Sequence, residues 1–404
     1  MPSTAGQHPD QLAKLDITVA GASGNLMDQM TPVEVILNES LLTPGLQTSV
    51  KVHSYFHNLP IKNLNEFQGS RIQINIDRPS LDRYALPTSF DVDNVIYRLS
   101  DRKLINENTE EFILHACHRT LLDDAATLVS KMWKCTTPSA VTSEVLRSCA
   151  GAGQLDIEGS SPARDYAAEN IHPFQVVQQQ AAAALADGND PSFIHFMTYR
   201  NLGTHHFRSL QSLSKSSPEM IYFYEENGAA GGGYGNPFGI MSHSFPCDFD
   251  LLSDILNGID ENGNDINTLL TFNPLMRMVN QFGSKTLGCG VGSGNPKISM
   301  SAGGSEMQQN MCPDYSQTYI QKRQARMGLL EQDKIALRLI VPWVSHIHAG
   351  DIIRLELRNK KDSNFLNYGS GDYMIHSITH NIKYRGFSTL TIDCVAETVG
   401  RGIV

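Results

Sequence analysis

One stretch constrains the rest of this chain: residues 171–210, IHPFQVVQQQAAAALADGNDPSFIHFMTYRNLGTHHFRSL, near its middle. It opens with His172-Pro173-Phe174. A proline fits the first helical turn because the N–H it lacks would have no partner there. Phe174, Val177, Ala181, Ala184 and Leu185 then recur at helical spacing, which predicts a helix with one apolar stripe. Asp187-Gly188-Asn189-Asp190-Pro191 ends it with turn residues and a proline that cannot continue a helix. Residues 192–199 read as a strand, Arg200-Asn201-Leu202-Gly203 as a tight turn, and 206–210 as a second strand. A helix feeding a β-hairpin therefore stands at the centre.

The chain before it reads as β between residues 14 and 103. Strands are predicted at 16–19, 33–37, 48–53, 71–76 and 93–99, and Arg71–Ile76 has strict period-two alternation. From Thr109 the texture is mixed, with a strand at 112–117 and a short helix at 141–150. Between them, residues 121–133 show helical spacing, with Asp123 and Asp124 early and Lys131 and Lys134 late, as a helix dipole prefers. Residues 228–314 are glycine-rich and poorly periodic, apart from stretches at 249–255 and 269–279. Residues 333–404 return to β, with strands at 334–341, 352–357, 373–382 and 388–395, joined by an upstream strand at 220–224.

The expected fold is thus α+β and mainly β: two small antiparallel β-barrels flanking a mixed α/β segment, with a long insertion. The expected divisions are 1–105 for the first barrel and 106–208 for the α/β segment. Residues 209–227 with 333–404 form the second barrel, and 228–332 a glycine-rich insertion with a return helix.

Two or three domains suit a chain of 404 residues. With 41% hydrophobic and 18% charged residues it is ordinary for a globular protein, and the formal net charge of −10 argues against a dedicated nucleic-acid binder. Its seven cysteines are scattered without a CxxC pair, which favours reduced thiols and synthesis in a cytoplasm. The first residues lack a secretory pattern, and no apolar run is long enough to span a bilayer.

The central stretch resembles the central hub of contractile-tail bacteriophage baseplates, the ring between tail tube and membrane-piercing spike. That family carries a helix after an I-x-P-F element, a strand of the type F-F-x-x-R/N, a glycine turn and a closing F-R-S-L. Here these fall on Ile171, Pro173 and Phe174, on Phe193 to Tyr199, on Gly203, and on Phe207 to Leu210. Ile194 stands where the pattern has a second phenylalanine. Further matches are Asn38 to Pro44, Val341-Pro342, Gly350-Asp351-Ile352-Ile353, and Gly371-Asp372-Tyr373-Met374-Ile375 leading to His380. The likeness covers most of the chain outside 228–314.

The resemblance implies two tail-tube-like barrels per chain and a homotrimer with pseudo-sixfold symmetry. Its implied partners are the central spike, the tail tube or its initiator, and surrounding baseplate wedge proteins. Genomic DNA would pass through the channel without specific binding. The implied place is the virion tail baseplate, assembled in the host cytoplasm, with no enzymatic activity, catalytic residue or cofactor. The equivalent hub of a contractile injection or secretion system fits the same features.

Other chemistry fits the sequence less well. Ile17 to Leu26 imitates a dinucleotide fingerprint at the Gly21–Gly24 turn, which would make the chain a nucleotide-binding enzyme. Thr31-Pro32 interrupts the helix that such a site needs, and a strand follows. Gly283-Ser284-Lys285-Thr286 lacks both required P-loop glycines. Asp260 to Asp265 alternates oxygen ligands, but Asp265 stands where a calcium loop needs glycine and Thr271 where it needs a glutamate. The pairs His346/His348 and His376/His380 could each supply half of a metal site on a strand face, with nothing spaced to complete it. His115/Cys117/His118 and His205/His206 read as core or interface residues. Two tryptophans, Trp133 and Trp343, make a sugar-stacking surface a poor fit.

Overall fold

The computed structural model describes residues 14–21, 24–25, 30–55, 67–77, 87, 89–188, 190–225, 238–247, 268–273, 278–283, 298–302, 327–328, 330, 334–358, 368–384 and 386–396. Among these residues it is mainly β, with one large sheet of 13 strands, mostly antiparallel, and four short α-helices.

The first module contains β1 (Lys14–Gly21), β2 (Gly24–Asn25), β3 (Met30–Ser40), β4 (Gln47–Tyr55), β5 (Arg71–Asp77), β6 (Ser89–Asn106) and β7 (Thr109–Cys117). Alternation sets its inner face. Ile72, Ile74 and Ile76 on β5 are buried while the residues between them face outward. β1 and β2 form a hairpin in which Gly21 pairs with Gly24, and the next described element is β3 rather than a helix. The glycines that imitate a nucleotide loop are therefore a strand turn. β7 pairs with β4 and β6, so the strand expected to begin the mixed segment belongs to this sheet, past residue 105.

The α/β segment follows as α1 (Arg119–Ala126), β8 (Val129–Thr136), α2 (Pro138–Ser148), β9 (Gln154–Ile157), β10 (Arg164–Ile171), α3 (Pro173–Ala183), β11 (Phe193–Thr198), β12 (Thr204–Ser209) and α4 (Leu210–Ser214). The helix expected over 121–133 ends at Ala126, because Thr127 is extended, and β8 takes over. Val129 and Trp133 are both buried and stand four apart. That spacing puts two residues on one face in a helix and in a strand alike, so periodicity could not separate the two. The central helix starts at Pro173 as expected but ends at Ala183, because Ala184 is extended and Leu185, expected on its apolar stripe, bridges to Ser161 instead. The turn and hairpin form as expected, with β11 and β12 in antiparallel register from Phe193↔Ser209 to Thr198↔Thr204.

The second module comprises β13 (Met220–Glu225), β14 (Ser242–Ser244), β18 (Leu337–Pro342), β19 (Ile352–Arg358), β20 (Gly371–Lys383) and β21 (Thr389–Val395). Between β14 and β18, the insertion carries a three-stranded sheet of β15 (Thr268–Asn273), β16 (Met278–Gly283) and β17 (Ile298–Ala302). β14 pairs with β18, so the insertion also supplies a strand to the barrel. The barrel closes where the amide of Phe223 donates to the Phe238 carbonyl (3.0 Å) and the amide of Ile240 to the Phe223 carbonyl (3.3 Å). Residues 249–255 and most of the expected return helix lie outside the described residues.

Numbered along the chain, the six main strands of each module run in the same spatial order. The first is β1-β5-β6-β7-β4-β3 and the second β13-β19-β20-β21-β18-β14, so first, fourth, fifth, sixth, third and second succeed one another in both. One sense differs: β1 runs antiparallel to β5, whereas β13 runs parallel to β19. The modules join edge to edge where β3 pairs with β20, from Glu34↔Lys383 to Ser40↔Ser377. A single apolar core runs through both, from Ile72 and Val35 to Ile378 and Ile392.

Gly203 closes the hairpin turn at φ +119°, where an added Cβ would lie 2.6 Å from His118 Nε2. Gly203→Ala should therefore destabilise the protein by about 1–3 kcal/mol in urea unfolding, combining backbone strain with displacement of His118.

Candidate functional site

Three of the segments that carry the family resemblance converge on one buried point. Val35, Leu37 and Glu39 share the inward face of β3, so alternation drives a carboxylate into the core after two aliphatic residues. Glu39 Oε1 accepts the Tyr199 amide (2.8 Å) and lies 2.9 Å from His348 Nδ1, while Oε2 accepts the Ala349 amide (2.9 Å). Tyr199 and Arg200 come from the hairpin turn, and His348, Ala349 and Asp351 from the loop before β19. Asp351 accepts the His348 amide (2.8 Å) and both its oxygens accept Arg200 Nη2 at 2.8 Å. Gly350, at φ +90°, lets this loop come close: a Cβ there would lie 3.1 Å from the Phe196 ring.

Aromatic rings surround the junction. Phe90 lies 5.9 Å from both Tyr199 and Trp343, and 5.3 Å from His380. Trp343 Nε1–H donates to His380 Nδ1 (3.2 Å), and the Tyr199 hydroxyl to the Gln47 carbonyl (2.8 Å). Burial alone would raise the Glu39 pKa. The charge and hydrogen bond of His348, with the His380 charge and the Tyr199 amide, hold it below the usual carboxylate range. An ionised Glu39 accepts only, so His348 Nδ1 carries the hydrogen between them. Asp351 goes the other way. Its burial outweighs Arg200 and the His348 contacts and raises its pKa.

Beside the junction is a cleft of about 150 Å³ lined by Asp156, Thr198, Arg200, His206, Arg208 and Asp351, among others. Asp156 takes His206 Nδ1 at 2.9 Å and Arg208 at 3.5 Å, and Arg200 is held by Asp351. The space falls short of the roughly 300 Å³ at which small-molecule pockets begin. Glu39 and His348 have side-chain exposures of 0% and 5%, so they lie behind the cleft wall, not on it. This arrangement clamps three segments together.

The histidine pairs picked out by spacing are drawn into other contacts or set apart by the fold. His346 and His348 lie in a loop, and His348 is taken by Glu39. A register break at Ile375/Ser377 separates His376, which meets the Leu330 carbonyl (2.9 Å), from His380 beside Trp343. His205 and His206, adjacent on a strand, face opposite ways. His205 Nδ1 meets His195 Nε2 (3.1 Å), and His206 Nε2 meets Thr198 (2.9 Å). His115 bridges Ser49 and Ser100, and His118 caps α1 through Thr120. Among the described residues no group of three or more potential ligands is placed to hold a metal. Asp260 to Asp265 and Ser284 to Thr286 lie outside them.

Neither Glu39 nor Asp351 was singled out as a site residue from sequence. The available signal was the inward parity of Glu39 with Val35 and Leu37, and the Gly350-Asp351 pair.

Two consequences are measurable. Glu39→Gln places an amide NH₂ against N–H donors in a sealed core and should cost about 3 kcal/mol or more in urea unfolding. Arg200→Gln, whose side chain is 38% exposed, should cost only about 1 kcal/mol. Burial also lowers His195 to about 3 and His205 to about 2, well below an unfolded histidine. Their neutral forms favour the folded state, so their stabilisation is complete above the unfolded pKa near 6.5 and is lost as pH falls. Stability should drop below pH 6.5 by about 3 kcal/mol per pH unit from this pair. His205→Phe should flatten that slope in melts recorded from pH 7 to 5.

No protein-family model matches this chain, and no curated protein does. Solved structures do. The chain is similar to a tail protein from Neisseria meningitidis MC58, at 8% identity over 96% of this chain and 98% of that one, with a TM-score of 0.56. It is also similar to the 43 kDa tail protein of prophage MuSo2 from Shewanella oneidensis, at 8% identity over 94% and 97%, with a TM-score of 0.52. The likeness runs the length of both partners, and the chain has the fold of these tail proteins.

Proposed function

We propose that the protein is the central hub of a contractile phage tail baseplate, a homotrimeric ring joining the tail tube to the spike. The observation that carries this reading is the repetition of one strand order twice in one chain. Three copies then offer six equivalent barrels to a sixfold tube and three equivalent chains to a threefold spike. The tail-protein fold and the motifs meeting at Glu39 support the same reading. Baseplate wedge proteins would surround the ring, and the virion tail is its place of work.

In this role the protein is not an enzyme and takes no cofactor. Its polar junction keeps the hairpin and the second module in fixed relation to the first. A net charge of −10 suits a channel that DNA traverses without sticking.

Native mass spectrometry and top-view electron microscopy of the purified protein, alone and with its spike, test the proposal. Three chain masses and six similar lobes are expected. A monomer that stays monomeric with the spike present would sink it.

A further inference from the structure

The strand order shared by the two modules locates the contact between copies. Within the chain, the second strand of the first module, β3, pairs with the fifth strand of the second, β20. The complementary pair is the second strand of the second module, β14, and the fifth strand of the first, β6. Among the described residues these two do not pair with each other, and each has an edge with no strand on it.

The correspondence extends to detail. β20 leaves β19 after Met374, has a register break against β21 between Ile375 and Ser377, and then presents residues 377–383 to β3. β6 leaves β5 after Val95, has its first register break against β7 between Ile96 and Arg98, and continues to Asn106 through two further breaks, at Ser100/Lys103 and Leu104/Asn106, that β20 lacks. Along residues 97–106 no described strand occupies the edge that β5 gave up. The exposed apolar side chains Tyr97 (45%), Leu104 (62%) and Ile105 (48%) lie along that segment. β3 has neighbours on both edges, β4 and β20, whereas β14 over Ser242–Ser244 has β18 alone among the described residues, with Met241 38% exposed beside it. Bare edges that carry apolar residues are strand-pairing sites.

We propose that residues 97–106 of β6 in one copy pair antiparallel with the β14 segment, residues 241–244, of a second copy, repeating between chains the seam that β3 and β20 make within one. The occupant is a second copy because the internal seam already shows which pair of edges fits. The two edges belong to different modules, so the contact is head-to-tail and returns to its start when the rotation closes. Closure at three copies rests on the hub reading above. The seam would place Leu104 and Ile105 near Met241, removing three exposed apolar side chains from water. Arg98, Arg102 and Lys103 would be carried into the contact on the same segment.

The test uses the full chain. The double variant Ile105→Cys with Ser242→Cys is treated with a short bis-maleimide, alongside each single variant and the unsubstituted protein, whose own thiols, the exposed Cys135 and the half-buried Cys149 and Cys247 among them, set the background. A covalent ladder ending at three chains in the double variant alone, with the 105–242 link identified by peptide mass spectrometry, is the expected result. In parallel, Leu104→Glu with Ile105→Glu should shift the native mass from trimer to monomer at least tenfold in population. Circular dichroism should stay unchanged, since both side chains are exposed in the monomer. A trimer that forms without the link, or that persists in the double glutamate variant, overturns this seam and leaves the ring reading standing. An unsubstituted protein that is monomeric overturns both.

Discussion

A carboxylate without water must find its donors inside the protein, and the site where Glu39 does so organises this molecule. Moving an ionised group out of water costs several kcal/mol, and attraction offsets that cost only when the hydrogen-bond geometry is complete. Glu39 meets the requirement with two backbone amides and one imidazole drawn from two distant parts of the chain. Because the donors are specific, the hairpin and the loop before β19 have one arrangement that satisfies the acid. Apolar packing alone would tolerate several. The aromatic residues around Phe90 then fill space whose outline the polar contacts have already set.

The two modules solve one packing problem with one strand order and different side chains. β5 buries Ile72, Ile74 and Ile76 at every second position, and β21 buries Leu390, Ile392 and Cys394 in the same way. The parallel pairing of β13 with β19 is the clearest departure from the first module. The α/β segment, with its own small core of Val145, Val177, Phe193 and Phe207, enters between them in sequence and carries the turn that reaches Glu39.

Much of the fold was legible in the sequence, because half-buried strands write their environment as alternation. Residues 71–76 and 389–395 are strands for that reason, and Pro173 with the apolar stripe behind it marks α3. Legibility failed where burial was partial or one-sided. β6 runs to Asn106, yet its exposed second half lacks alternation and the predicted strand stopped at 99. β10, RDYAAENI, lies on the small α/β core with one face in solvent and carries too few apolar residues to show a period. Glu39 was invisible as a site because its partners stand 160 and 309 positions away. A lone acid beside a turn reads as solvated until the fold brings those donors to it.

The seam between β3 and β20 joins two barrels that belong to one polypeptide. Two separate chains making the same contact would lose translational and rotational freedom, at a cost of at least about 4 kcal/mol. Tethering removes that loss by keeping each edge at a high local concentration of its partner. The internal seam therefore forms at any protein concentration, and neither edge is left open to strands of unrelated chains. Its strength is set at folding, independently of dilution.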